Sequence, residues 1–178
     1  ANMLEVVDMS ADVHVYLVRV VFGPRDPSYI SPILSAIQSD LCESGIDGVL
    51  STHIQRDALE KFSYVSPIGA AGVYLHAVAG DFQKEGPARE LFKSMIREIS
   101  ALAAAMGYPF EKDYVKINLE ILSNLSADAT TSMQRDIMEG KPSELDGLVM
   151  EPLRLAKKYS VSMPCYEEVA NVLCPLEF

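Results

Sequence analysis

The ten glycines of this 178-residue chain include no pair separated by a single residue, so not even a G-x-G is present. A dinucleotide-binding fold needs a Gly-rich turn so that a helix N-terminus can approach the pyrophosphate, and that turn is missing. A G-x-x-x-x-G-K-[ST] phosphate loop is missing too. Cationic side chains are scarce, with 15 Lys and Arg against 25 Asp and Glu and a net charge of −10. That balance argues against nucleic acid or an anionic membrane as partner, since phosphate neutralisation needs a basic surface. Any carboxylate or phosphate site must be built locally from Lys and Arg. Only three cysteines occur, Cys42, Cys165 and Cys174, with no C-x-x-C spacing. They offer neither a disulfide framework nor a zinc site and suit a reducing, cytoplasmic setting. His14, His53 and His76 stand alone, without carboxylate or Cys at ligand spacing, so no metal site is expected. No apolar run approaches the roughly 18 residues of a membrane span. No charged-then-apolar signal peptide opens the chain.

What is present points to a packed, mostly helical domain. Apolar residues make up 49% of the chain, which excludes a disordered tail. The length suits one domain with a substantial core. Residues 3–22 read as strand, with Val13, Val15 and Leu17 alternating and a β-branched run leading to Phe22. Gly23 to Pro27 break it. Ser31 and Pro32 then start a helix that Gly45 stops, and Ile46–Ser51 is a short extended piece weakened by Asp47-Gly48. Helical spacing begins near Ile54, with Ala58, Phe62 and Val65 on one side before Pro67 interrupts. The small residues Gly69 to Gly72 follow, inside a Pro67–Val78 segment too apolar for a surface helix. It is expected to be buried in the domain or at a subunit contact. Pro87–Met106 is an amphipathic helix with Leu91, Met95, Ile99 and Leu102 inward. Further helices are expected over 111–125, over 128–139, and after Ser143 as cap with Asp146 as its reciprocal partner. Pro152 should kink that last one, and a final helix covers about 165–173.

One constellation is more specific than the rest. Ser132-Met133-Gln134-Arg135-Asp136 is followed by Gly140-Lys141-Pro142-Ser143-Glu144-Leu145-Asp146, then Leu153-Arg154-Leu155, Lys158-Tyr159 and Val161-Ser162-Met163-Pro164. Upstream stand Phe22-Gly23-Pro24, Glu60-Lys61-Phe62 and Ser66-Pro67-Ile68. In order and spacing this resembles the C-terminal domain of the ketopantoate reductases, from about Phe22 to Val172. The resemblance implies a mainly α fold of the 6-phosphogluconate dehydrogenase C-terminal-like type, with a short β extension at residues 1–22 and the helical domain at 23–178. It implies that a Rossmann domain outside this chain binds NADPH, and that the helical domain forms a homodimer.

Reducing a 2-keto acid requires hydride at the carbonyl carbon and a proton at its oxygen. Read from the residues alone, Lys61 is a solvated helix charge with Asp57 four residues earlier. The resemblance makes it the proton donor. Glu144 alone is a helix-start carboxylate favoured by the dipole, and the resemblance has it hold substrate and cofactor ribose. Ser132 alone is a local cap, and by resemblance it bonds the substrate carboxylate. Ser66 joins it as a substrate-binding candidate. Where the family often carries asparagine, this chain has Val65, Gly69 and Ala129, so one helix face has lost two amides and the keto acid itself is open. The expected function is the substrate-binding part of an NADPH-dependent 2-dehydropantoate 2-reductase, inactive alone. Its rivals are a reductase for a different 2-keto acid and a non-catalytic helical dimerisation or ligand-binding module.

Overall fold

The computed structural model describes residues 2–8, 13–26, 28, 29 and 31–174. It divides into two compact units, Ala1–Asp57 and Ala58–Phe178.

In the first unit, β1 (Asn2–Asp8) and β2 (Val13–Phe22) pair antiparallel, with Asn2 opposite Arg19 and Asp8 opposite Val13. The single strand expected over 3–22 is thus two strands, and residues 9–12 lie outside the described residues. So do Pro27 of the breaker and the side chains of Val13, His14, Val15 and Leu17. A helix, α1 (Pro32–Glu43), then returns the chain so that β3 (Asp47–Leu50) lies parallel to β2. Parallel strands need such a crossover. Ser31 caps α1 as expected, its Oγ accepting from the Ile33 N–H at 3.3 Å, and Gly45 ends it at φ +79°. Asp47-Gly48 does not abolish the strand, for two reasons. Arg19 pairs with Asp47 across the ladder at 3.2 Å. The bare Cα of Gly48 lets α1 lie close, since a Cβ there would meet the Leu41 Cβ at 2.9 Å. The pairing of β3 with β2 clusters residues 23–57 with the front strands rather than with the helices that follow.

The second unit is helical. It takes most of α2 (Ile54–Leu75), then α3 (Ala79–Gln83), α4 (Pro87–Ala105), α5 (Tyr114–Ser123), α6 (Ser132–Met138), a π-turn at Asp146–Met150, α7 (Glu151–Tyr159) and α8 (Pro164–Leu173). Its core is organised on α4, where Phe92, Met95, Ile96, Ile99 and Leu102 are fully buried. Leu91 is only partly covered. Phe82, Leu122, Met133, Val149, Tyr166 and Val169 complete the core. No helix among the described residues is long and apolar enough to cross a membrane.

Two prolines show how this core is held. The sequence places an interruption at Pro67, but α2 runs through it without a break. A proline inside a helix leaves the carbonyl four residues back without its donor, here the Ser63 C=O. The Asn118 side chain supplies the replacement, donating Nδ2–H to that carbonyl at 3.1 Å and to Ser63 Oγ at 3.1 Å. Pro152 likewise cannot serve the Leu148 C=O. The chain widens into the π-turn just before it, and the Ser66 hydroxyl donates to Leu148 O at 2.6 Å. Each proline vacancy is filled from another helix, and those two bonds tie α2 to α5 and to the π-turn.

Other helix starts differ from expectation. The helix expected over 128–139 begins at Ser132, because Thr131 and Gln134 form a capping box there. Ser143 and Asp146 do not form one. Asp146 is taken by Arg154, which donates to both its oxygens at 2.9 and 2.8 Å, and this holds the Asp146 carboxyl below the usual carboxylate range. Arg154 also donates to Glu151 at 2.7 Å. The first turn of α8 lacks a side-chain cap of its own. Glu98 of α4 serves instead, accepting from the Cys165 and Tyr166 N–H groups at 2.8 and 3.1 Å. A carboxylate there answers both the orphan donors and the helix dipole.

Candidate functional site

Lys61 lies in α2 and is exposed. Among the described residues it has no ion-pair partner, so the Asp57 pairing suggested by their spacing does not form. Residues three, four and seven apart share a helix face, which puts Tyr64 and Ile68 on the face that Lys61 begins.

Opposite that face stands the segment leading into α6. Ala129 accepts from the Ala79 N–H at 3.0 Å and Ala127 from the Gly80 N–H at 2.7 Å, which pins this loop to the start of α3. Gln134 fixes the first turn of α6. Its Nε2 donates to Ala77 O at 2.8 Å, and its Oε1 accepts from the Thr131 N–H at 3.0 Å and the Thr131 hydroxyl at 3.1 Å. The carboxamide fits only because residue 72 is glycine, since a Cβ there would meet its atoms at 2.7 Å. At Gly69 a Cβ would stand 3.1 Å from the Met133 Cε, so this position packs against α6 and a side chain there would have to displace the Met133 methyl. Gly69 and Gly72 of α2 are therefore covered by α6 of the same chain, and Ala70 and Ala71 between them are fully buried. That removes the argument from this segment for a subunit contact.

Between these walls lies a cavity of about 200 Å³. Tyr64 and Ile68 of α2 form one side, and Ala77, Ala79 and Phe82 another. Leu125, Ala129, Thr130, Thr131 and Gln134 close it. The Tyr64 hydroxyl is buried and has no hydrogen-bond partner among the described residues. Desolvation raises its pKa, so the phenol stays protonated at neutral pH.

Ser132 is exposed at the first position of α6, directly after the cavity wall residue Thr131, which rather than Ser132 is the cap. Glu144 is exposed ahead of the π-turn and is not among the cavity walls. No hydrogen bond joins Lys61, Ser132 and Glu144 among the described residues. Ser66, the remaining substrate-binding candidate, lies inside the core. It is fully buried, gives its one proton to Leu148 O, and must accept from the Tyr166 hydroxyl at 2.5 Å. Its capacity is used inside the core. Burial in turn raises the Tyr166 phenol far above its ordinary pKa. Sequence reasoning missed Tyr64 and Gln134. Both were within reach of it, Tyr64 as the residue three beyond Lys61 and Gln134 as the fourth residue of a T-x-x-Q capping box.

This is the geometry of a helical domain whose cavity begins one helical turn after an exposed lysine on the same helix. The family model described as ketopantoate reductase PanE/ApbA C terminal matches residues 53–177, and the chain belongs to that family. Among solved structures, it resembles 2-dehydropantoate 2-reductase from Methylococcus capsulatus, at 24% identity and a TM-score of 0.79, over 92% of this chain and 52% of that one. A dimeric ketopantoate reductase from Staphylococcus aureus gives 17% identity and a TM-score of 0.78, over 97% of this chain and 58% of that one. A D-mandelate dehydrogenase, in a ternary structure with NADH and anilino(oxo)acetate, gives 17% and 0.72, over 86% and 64%. At these identities the likeness establishes the fold, and the chain spans little more than half the length of the two reductases. No curated protein sequence matches.

Proposed function

We propose that this chain is the substrate-binding part of an NADPH-dependent 2-dehydropantoate 2-reductase or a close 2-keto acid reductase, acting with a nucleotide-binding domain outside the chain. The observation that carries the reading is Lys61, free of any ion pair among the described residues and standing on α2 one turn before the cavity, within the matched family region. Its ammonium polarises the keto oxygen and passes it a proton as the carbonyl is reduced. Ser132, next to the cavity wall, donates to the substrate carboxylate. Glu144 suits a cofactor ribose because its exposed carboxylate has no partner of its own among the described residues. The cofactor, when bound, supplies the hydride. The homodimer is part of the same proposal and is supported by the likeness to a reductase described as dimeric. A different 2-keto acid as substrate is favoured by one specific observation: Ala129, where the family often has asparagine, lines the cavity.

The test is steady-state kinetics of the complete enzyme. Lys61→Ala should lower turnover by about two to four orders of magnitude, the usual effect of losing a positioned acid, with an unchanged circular dichroism spectrum. Near wild-type turnover on the best substrate would remove Lys61 from the chemistry.

A further inference from the structure

In a chain of net charge −10, holding a carboxylate takes a cation placed beside it. Ser132 offers one neutral hydroxyl, and the ammonium of Lys61 is assigned above to the keto oxygen. The structure supplies a further cation in Arg135 of α6. Its Nη1 donates to Thr130 O at 2.8 Å and to Thr130 Oγ1 at 3.3 Å. Thr130 lines the cavity that begins one turn after Lys61, so the guanidinium rests against a residue of the cavity wall. Side chains of a helix tilt toward its N-terminus, and residues three apart are neighbours on its surface. To reach Thr130, Arg135 therefore runs back along the turn that carries Ser132, and the guanidinium and the hydroxyl stand close together. Arg135 is exposed and has no ion-pair partner among the described residues. Glu139, four residues on and at the spacing of a helical ion pair, is held by Lys141 instead. Arg19, Arg89 and Arg154, by contrast, each pair with a carboxylate. The bonds to Thr130 use only Nη1, which leaves the edge formed by Nε and Nη2 without a partner among the described residues. Such an edge is the fork that fits a carboxylate.

We infer that Arg135 is a substrate-binding residue which, with Ser132, takes the carboxylate of the 2-keto acid and makes the enzyme select acids over their neutral counterparts. The inference rests on the reading of the chain as the substrate side of a reductase. Within that reading it assigns the cation that the carboxylate requires.

The experiment uses the full-length enzyme with its nucleotide-binding domain. Values of kcat/KM are measured for ketopantoate and its neutral lactone, and for phenylglyoxylate and its methyl ester. In Arg135→Gln the ratio of acid to neutral counterpart should fall about ten- to hundred-fold, the scale of hydrogen bonds to a charged group, with the loss carried by KM. Arg135→Lys keeps the charge without the fork and should recover part of the ratio. An arginine that only held the loop through Thr130 would make acid and neutral compound lose together. An unchanged ratio in folded Arg135→Gln therefore overturns the inference and leaves the reductase reading standing. A second readout needs no variant. Butanedione labelling of Arg135 in the wild type, followed by mass spectrometry, is run with NADP+ so that a bound acid is not consumed. Labelling should slow with saturating ketopantoate or phenylglyoxylate and not with the lactone or the ester. This readout decides the case if neither variant folds. It also decides it if the wild type reduces none of the four compounds, which overturns the reductase reading instead. Protection by the acids alone supports the Arg135 site, and labelling that the acids leave unchanged, or that the neutral compounds slow equally, ends it.

Discussion

Asn118 is the sharpest test of how α2 survives its internal proline. Its side chain is buried, and its two donated bonds go to the Ser63 carbonyl and hydroxyl, while its own Oδ1 has no partner among the described residues. Asn118→Leu keeps the volume and removes the unpartnered oxygen, but leaves the Ser63 C=O facing apolar core. An orphaned buried acceptor costs about 1–3 kcal/mol. For a protein of this size that is about 2–4 °C of melting temperature per kcal/mol. The diagnostic step is a second substitution. Pro67→Ala restores an N–H at the position that normally serves the Ser63 carbonyl, four residues on. In the wild type that N–H finds the carbonyl already occupied, and the loss of the buried ring leaves the substitution destabilising. In the Asn118→Leu background it fills the vacancy. Urea unfolding of the wild type, both single variants and the double variant should give a coupling of about 1 kcal/mol, outside the ~0.5 kcal/mol within which independent sites add. Additive single effects, or a neutral Asn118→Leu, would refute the claim that Asn118 replaces the missing helix bond.

Gly72→Ala should cost about 2 kcal/mol or more in the same assay, because its Cβ would displace the Gln134 carboxamide and its bonds to Ala77 and Thr131. A change under ~0.5 kcal/mol would mean that α6 shifts freely. Glu98→Ala should cost about 1–2 kcal/mol by uncapping α8, measured by thermal melting. Desolvation first, and then the hydrogen bond and charge of Glu98, push the Cys165 thiol up to about 11. Iodoacetamide followed by mass spectrometry at pH 8 should therefore label exposed Cys42 well before Cys165. The raised folded-state pKa also means that the protonated thiol's contribution to stability is complete below the ordinary thiol pKa and lost as pH rises through about 11. Equal labelling of the two cysteines at pH 8 would contradict that environment.

The sequence by itself determined the features that local chemistry dictates. Ser31-Pro32 and Gly45 bound α1, and the apolar spacing of Met95, Ile99 and Leu102 marks the buried face of α4. The motifs around Ser132 and Glu144 resemble those of the family to which the match over residues 53–177 assigns the chain. The helical class follows, because periodicity, caps and stops act within a few residues of one another.

Tertiary structure decided whatever depended on a partner distant in the chain. Pro67 reads as a break because its own neighbours cannot replace the lost bond, whereas Asn118, remote in sequence, can. Asp146 reads as a reciprocal cap for Ser143, but the Arg154 guanidinium offers a doubly bonded ionic partner and wins. Ser66 shares a helix with Lys61 and reads as a binding residue, yet the Leu148 carbonyl and the Tyr166 hydroxyl consume its hydrogen-bonding capacity. The cavity beside Tyr64 has no signature in the sequence, since its walls come from α2, α3, the loop before α6 and α6 itself. Periodicity shows which face of a helix is apolar. Whether that face meets another helix or leaves a space is fixed only when side-chain volumes from separate segments meet, because interiors close to crystal-like density wherever the shapes allow it.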